Sequence, residues 1–413
     1  RMYNDNADSD IESVYENSIV SVTIDTDVSY VGGIAGRTYH DGAYDADTAT
    51  VDNVTVHANI SAGDYVGGVF GRTGDEAAKV DVKLEDSLVT GTIRGGTKVG
   101  GLVGYVYGTS LIATGNALRA DITGSGSDIG GVIGEVFQTG DDSIFFPEPE
   151  ITKTSSSGNV TGGTNVGGFI GDYRYQDDAD DPSRYRFNYN YATGIVRGQA
   201  NVGGMYGRFY IPQSASSLNY IYHNNNYATG DVYGSSNVGG YVGRMQLHSG
   251  SQGFNMRMNY ASGSVYDADA GAPTNTVAGF VGQAWGSQCD EVRLSYQRDS
   301  REQSVWVDSD RSDDATRFLG DENGGCDEGD FARVYEYATT QTYTGEAYTP
   351  DLSHDSNPYD AWYSHWQSGV TQSGGYQVAL PVLRDDQAGN EQPRPWPEQQ
   401  TYFANGSGTA SNP

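Results

Sequence analysis

The sequence predicts an all-β fold: a parallel β-solenoid (β-helix) of about eight coils of ~35 residues each, closed by a C-terminal cap. Three observations carry this expectation. The first is a glycine-rich octapeptide written repeatedly along the chain. It reads NVGGYVGR at Asn237–Arg244, NVGGMYGR at Asn201–Arg208 and NVGGFIG at Asn165–Gly171. Earlier copies are YVGGIAG (Tyr30–Gly36), YVGGVFGR (Tyr65–Arg72), KVGGLVG (Lys98–Gly104) and DIGGVIG (Asp128–Gly134); a decayed copy, TVAGFVG, spans Thr276–Gly282. The first glycine of each pair falls at 32, 67, 100, 130, 167, 203 and 239, with Ala278 in that slot last, so the steps are 35, 33, 30, 37, 36, 36 and 39 residues. The second observation is a companion motif, Asn-Tyr-Ala-Thr-Gly-x-Val-x-Gly, at Asn190–Gly198 and Asn226–Gly234, with NYASGSVYD close to it at Asn259–Asp267. Its leading position is read through Asn17, Asn53, Ser87, Asn116 and Thr154. The third is a segment of alternating large and polar residues before that motif, as in Arg184–Asn190, Leu218–Asn224 and Phe254–Asn259.

Three short strands per step suit one solenoid turn, and stacked turns bury a continuous core that no single turn encloses alone. A stack of leading asparagines is expected to satisfy turn backbone groups from coil to coil. The glycine pair removes bulk where another backbone comes close and permits backbone angles that other residues avoid. Gly230 interrupts the alternation of its segment, which predicts a bulge or bend there. An antiparallel sandwich of hairpins competes, but a single repeating register favours the solenoid.

In chain order, residues 1–13 read as an acidic N-terminal arm. Asp5, Asn6, Asp8 and Asp10 have the spacing of cation ligands without the glycine an EF-hand loop needs. Residues 14–283 form the repeat array. Its longest inter-coil loops, Glu135–Ile151 and Asp172–Arg186, are a variable face suited to function. In the first of them Phe145 and Phe146 offer an apolar anchor or fold back on the core. Residues 284–384 hold four of the five tryptophans and both cysteines and read as a cap over the last coil, with Trp362 and Trp366 packed against it or stacking on a sugar. Residues 385–413, rich in Pro, Gln, Gly and Ser, read as an extended tail of the kind a partner chain orders. A start at Arg1 without Met suggests a processed portion of a longer product.

The formal charge of -30 comes from 39 Asp and 15 Glu against 20 Arg and 4 Lys. Asp over Glu and Arg over Lys on an acidic background resemble proteins of extreme halophiles. At ~1 M salt a Debye length of about 3 Å screens the self-repulsion. An acidic extracellular protein in ordinary salt is the alternative. Nucleic acid is excluded as a partner by the sign of the charge, and no apolar run approaches the roughly 18 residues of a membrane helix.

The octapeptide resembles the GLUG repeat, which Gly101-Leu102-Val103-Gly104 matches literally. The other copies place Ile34, Val69, Val132, Phe169, Met205, Tyr241 or Phe280 in the Leu slot, and the resemblance covers about residues 14–283. Gly375-Tyr376 to Pro381-Val382-Leu383 looks like the ending often seen after such arrays, with an insertion. The resemblance implies a secreted or cell-surface protein, adhesin-like, and carries no catalysis here, since the zinc motif His-Glu-x-x-His of one protease class with these repeats is absent. No Ser/His/Asp or Cys/His set stands out either, so the chain is expected not to be an enzyme.

Candidate sites follow from spacing. Asp308, Asp310, Ser312 and Asp314 alternate oxygen ligands as a Ca²⁺ loop does, but with Asp313 for the glycine and Leu319 for the final Glu. Asp321, Asn323, Asp327 and Asp330 form a second set. Cys289 and Cys326 form one candidate disulfide. Asn53, Asn59, Asn159 and Asn405 head N-x-Ser/Thr glycosylation sequons. The leading expectation is an extracellular structural or adhesive rod that binds a cell-surface glycan or protein, within a surface assembly or by self-association. The rivals are a receptor-binding spike or fibre on the virion of a virus of halophilic cells, and a carbohydrate-active enzyme.

Overall fold

The computed structural model describes residues 12–38, 48–74, 81–108, 111–139, 150–176, 185–211, 221–247 except 225, 254–268 except 258 and 262, 276–286, and short strands beyond, as far as residue 394. The chain winds as an all-β parallel solenoid. One coil shows the plan: Leu111–Thr114, Ala117–Gly124, Ser127–Gly130 and Ile133–Thr139 lie in four different sheets, numbered I to IV in that order. Each strand pairs in parallel with its counterpart one coil on. Val103, Ile133, Ile170, Tyr206, Val242 and Val281 occupy one register column of sheet IV. Among the described residues, sheets I, III and IV have 9, 8 and 9 strands and sheet II has 15. Sheet II is longer in count because its strand divides in later coils, as at Tyr227–Ala228 and Val232–Gly234. The bend expected at Gly230 is that division, and a Cβ there would lie 1.9 Å from the Gly194 carbonyl oxygen of the neighbouring coil.

Each coil contributes to four sheets where three strands were expected, because the glycine motif is a corner. In NVGGMYGR, Ala200–Gly203 belongs to sheet III and Tyr206–Ile211 to sheet IV, with Gly204 and Met205 turning between them. A Cβ on Gly204 would stand 2.1 Å from the Gly240 carbonyl oxygen and 2.7 Å from the Ala228 methyl, so close approach explains the glycine. Backbone freedom does not explain it: no glycine of the motif has a positive φ, and the left-handed residue is the one before the valine. Asn165, Asn201 and Asn237 have φ of 54°, 52° and 51° there, and Tyr30, Tyr65, Lys98 and Asp128 do the same. Asparagine enters that region at little cost because its short amide bonds locally, whereas a tyrosine is strained by about 1 kcal/mol.

From the second copy on, the residue after the glycine pair (after Ala278-Gly279 in the last) points inward, while Ile34 of the first copy is partly buried. Val69, Leu102, Val132, Phe169, Met205, Tyr241 and Phe280 are all completely buried, beside an aliphatic column of Val66, Val99, Ile129, Val166, Val202 and Val238. Parallel strands buried on their inner face favour such β-branched runs. The ladder continues past residue 283, where Leu319–Asp321 joins sheet IV with Val281 opposite Leu319 and Gln283 opposite Asp321. Val382–Leu383 and Pro393–Arg394 form a separate antiparallel pair. Most of the expected cap, the tail, Phe145 and Phe146 lie outside the described residues.

His223 sits in the core, face to face with Phe187 at 4.5 Å and edge-on to Tyr173, Tyr206 and Phe209, with the Tyr206 hydroxyl 2.9 Å from its Nδ1. Burial pushes its pKa well below the ordinary value. An unfolded histidine takes a proton near pH 6.5, and the folded one only at lower pH, so between those values the unfolded state binds more protons. Stability is therefore full above about pH 6.5 and falls as pH drops below it. Urea midpoints at fixed ionic strength should show this slope between about pH 6.5 and 5, and His223→Phe should flatten it; an unchanged slope in the variant would assign it elsewhere.

Candidate functional site

The corner geometry arranges polar residues in three columns. The first is the asparagine ladder, and its register differs from the expected one. Ser87, Asn116, Thr154, Asn190, Asn226 and Asn259 form a buried column, whereas Asn17 and Asn53 stand one position earlier and are exposed. Those two share their place with Asp86 and Lys153, all at positive φ, and Asn53 donates to Asn17 over 2.7 Å. A one-residue offset places a side chain outside rather than inside. In the buried column each amide serves two backbone groups. Asn190 Oδ1 accepts from the Thr154 N–H at 3.0 Å and its Nδ2 donates to the Ile151 carbonyl at 2.8 Å. Asn226 repeats this with the Asn190 N–H at 2.9 Å and the Phe187 carbonyl at 2.7 Å. The second column runs through the left-handed corner residues: Asn165 donates to Asp128, Asn201 to Asn165 and Asn237 to Asn201, each over 2.7 Å.

The third column is the outward face of sheet IV and carries the charge. In register it reads Arg37, Arg72, Tyr105, Glu135, Asp172, Arg208, Arg244, Gln283. Glu135 and Asp172 are buried and compensated by neighbours. Glu135 pairs with Lys98, and Arg174 Nε lies 3.4 Å from Glu135 and 2.8 Å from Asp172. Arg208 grips Asp172 with both arms of its fork, Nε to Oδ1 at 2.8 Å and Nη2 to Oδ2. Burial lowers the pKa of Lys98 against the pull of Asp128. It raises that of Asp128, aided by Asp172 and opposed by the Asn165 hydrogen bond and Lys98. Desolvation thus works against both partners, and such a network fixes arrangement more than it adds net stability. Tyr65 and Tyr105 flank it, with the Lys98 ammonium 4.2 Å from the centre of the Tyr105 ring. Two residues along each strand, a parallel column presents Tyr107, Phe137, Arg174, Tyr210, Gln246 and Trp285.

The chemistry this face offers is recognition: paired guanidinium groups, amides and aromatic rings on a rigid sheet. Sequence reasoning missed it, although its signal stood at the last position of the octapeptide, the one slot occupied by Arg, Tyr, Glu, Asp and Gln in turn. Of the predicted site residues, Asn53, Asn59 and Asn159 are exposed, Asn59 at mid-strand in sheet II and Asn159 accepting from the Ile195 N–H at 3.1 Å. Asn405, Cys289, Cys326, Asp308, Asp310, Ser312 and Asp314 lie outside the described residues. Among the described residues no group of three or more His, Cys, Asp or Glu side chains is placed to hold a metal ion, and no helix is long and apolar enough to cross a membrane.

Fold and face together define a parallel β-solenoid with a charged, ring-lined outer sheet. The chain is similar to halomucin of Haloquadratum walsbyi, 34% identical over 152 residues, which is 35% of this chain and 2% of that protein. The chain therefore spans a small fraction of that relative's length. No protein-family model matches the chain, so the GLUG resemblance rests on its motif residues alone. No solved structure matches it either.

Proposed function

We propose that the chain is a structural and adhesive module of a halophilic cell surface, a stiff solenoid that presents its outer faces to a glycan or protein partner. The similarity to halomucin, a halophilic archaeal surface protein, carries this reading, and the excess of Asp and Arg in a chain of charge -30 supports it. Continuous parallel ladders suit a rod, because each coil buries the face of the next and length is added without a new core. The role is non-enzymatic, and the sheet IV face is its recognition surface.

Antibodies raised against the chain should label intact, unpermeabilised cells of the source organism in molar salt. Beads coated with the chain should adhere to those cells where uncoated beads do not. Labelling that requires permeabilisation, or that appears only on released particles, sinks the cell-surface reading; the second result transfers the rod to a virion.

A further inference from the structure

Late in the sheet IV column one charge has no ion-pair partner among the described residues. Arg208 is committed to Asp172. Arg244, one coil on and in register with Arg208, has no ion-pair partner among the described residues, and its Nε is buried without a hydrogen-bond partner. Its other neighbour in the column is the neutral Gln283, with Asp321 in register one strand further on. Burial and the adjacent Arg208 charge both lower its pKa, so the guanidinium is held in a setting that an anion would relieve. The next column places Tyr210, Gln246 and Trp285 beside it. Trp285 is 38% exposed and, among the described residues, is the only exposed large apolar side chain outside the first coil.

We infer that Arg244, Gln283, Gln246 and Trp285 form a binding site for an acidic polysaccharide, with a carboxylate or sulfate on the Arg244 fork and a sugar face on the Trp285 ring. The inference rests on the surface-adhesive reading above and names its ligand. Arginine's planar fork matches a two-oxygen anion with two parallel hydrogen bonds. An exposed indole beside an amide suits a ligand that is apolar on one face and hydroxylated at its rim, which a sugar ring is and an Asp-rich peptide is not. Position matters too. On a chain of charge -30 a polyanion is repelled nearly everywhere, so a local guanidinium selects where it lands. Molar salt screens exposed charges within about 3 Å, but a partly buried one is screened much less.

The test uses the full chain in molar KCl and titration calorimetry with four probes: polygalacturonate, dextran sulfate, uncharged dextran and polyaspartate. Polygalacturonate or dextran sulfate should bind and dextran should not, and the first two arms separate carboxylate from sulfate. Arg244→Gln should weaken that binding about tenfold or more, Arg244→Lys less, and Trp285→Ala should weaken it while the urea midpoint stays put. Binding unaffected by both Arg244→Gln and Trp285→Ala overturns the site, as does no polysaccharide binding at all. Polyaspartate bound as tightly, with Trp285→Ala silent, overturns it in favour of an acidic polypeptide partner. Surface labelling without polysaccharide binding removes this site and leaves the surface role standing; binding by a protein found only inside cells does the reverse.

Discussion

Asn190→Ala should lower the unfolding free energy by about 2–5 kcal/mol, measured by urea denaturation at constant salt. The residue is buried and its amide is the partner of two backbone groups, the Thr154 N–H at 3.0 Å and the Ile151 carbonyl at 2.8 Å. Truncation leaves both without a partner in a dry interior, and an orphaned buried group forfeits about 1–3 kcal/mol. Asn53→Ala is the matched control. Asn53 is exposed and its side-chain amide donates across to Asn17, so its loss should be about 1 kcal/mol, mostly from putting alanine at a φ of 51°. Equal losses at the two positions would mean that water enters the buried column and takes over the bonds, so that the ladder is not dry.

Gly204→Val should be harsher, with a loss of about 4 kcal/mol or more, enough to disrupt the coils around it. The atom a Cβ would strike first is a backbone oxygen, that of Gly240 at 2.1 Å, and it cannot rotate away as a side chain can. Relief requires one coil to shift against the next, and that breaks the ladder on both sides. Hydrogen exchange locates the damage: amides of Ala200–Ile211 and Ser236–Leu247 should lose protection before those of the first coils. A midpoint equal to wild type would mean that the coils stand further apart than the Gly204 contact requires.

The architecture was legible because its cause is local and repeated. Glycine pairs a coil apart, with a buried residue after each, announce stacked backbones whatever the rest of the coil contains. The fourth strand was not legible, because NVGGMYGR reads as one segment and only the turn at Gly204 and Met205 divides it. The offset of Asn17 and Asn53 was hidden for a related reason. Asparagine is favoured both in the buried ladder and at the left-handed corner beside it, so composition does not distinguish the two. The charged face was obscured differently: Arg37, Tyr105, Glu135, Asp172 and Gln283 share a register column but no residue type. Their kinship is spatial, and it appears only when the coils are laid one on another. Arg244 is a further step removed, since its want of an ion-pair partner among the described residues is defined by neighbours that arrive from Asn201–Arg208 and Val281–Gly286.

The direction of the ladder bonds has a mechanical consequence. In a solenoid the strands run around the axis and their hydrogen bonds run along it, so tension applied to the chain ends loads the bonds a few at a time, as in peeling tape. Each coil that peels shortens the rod by about 4.8 Å but frees some 36 residues, about 120 Å of extended chain. An assembly of such modules would yield under shear by lengthening stepwise, with the coils still wound left intact.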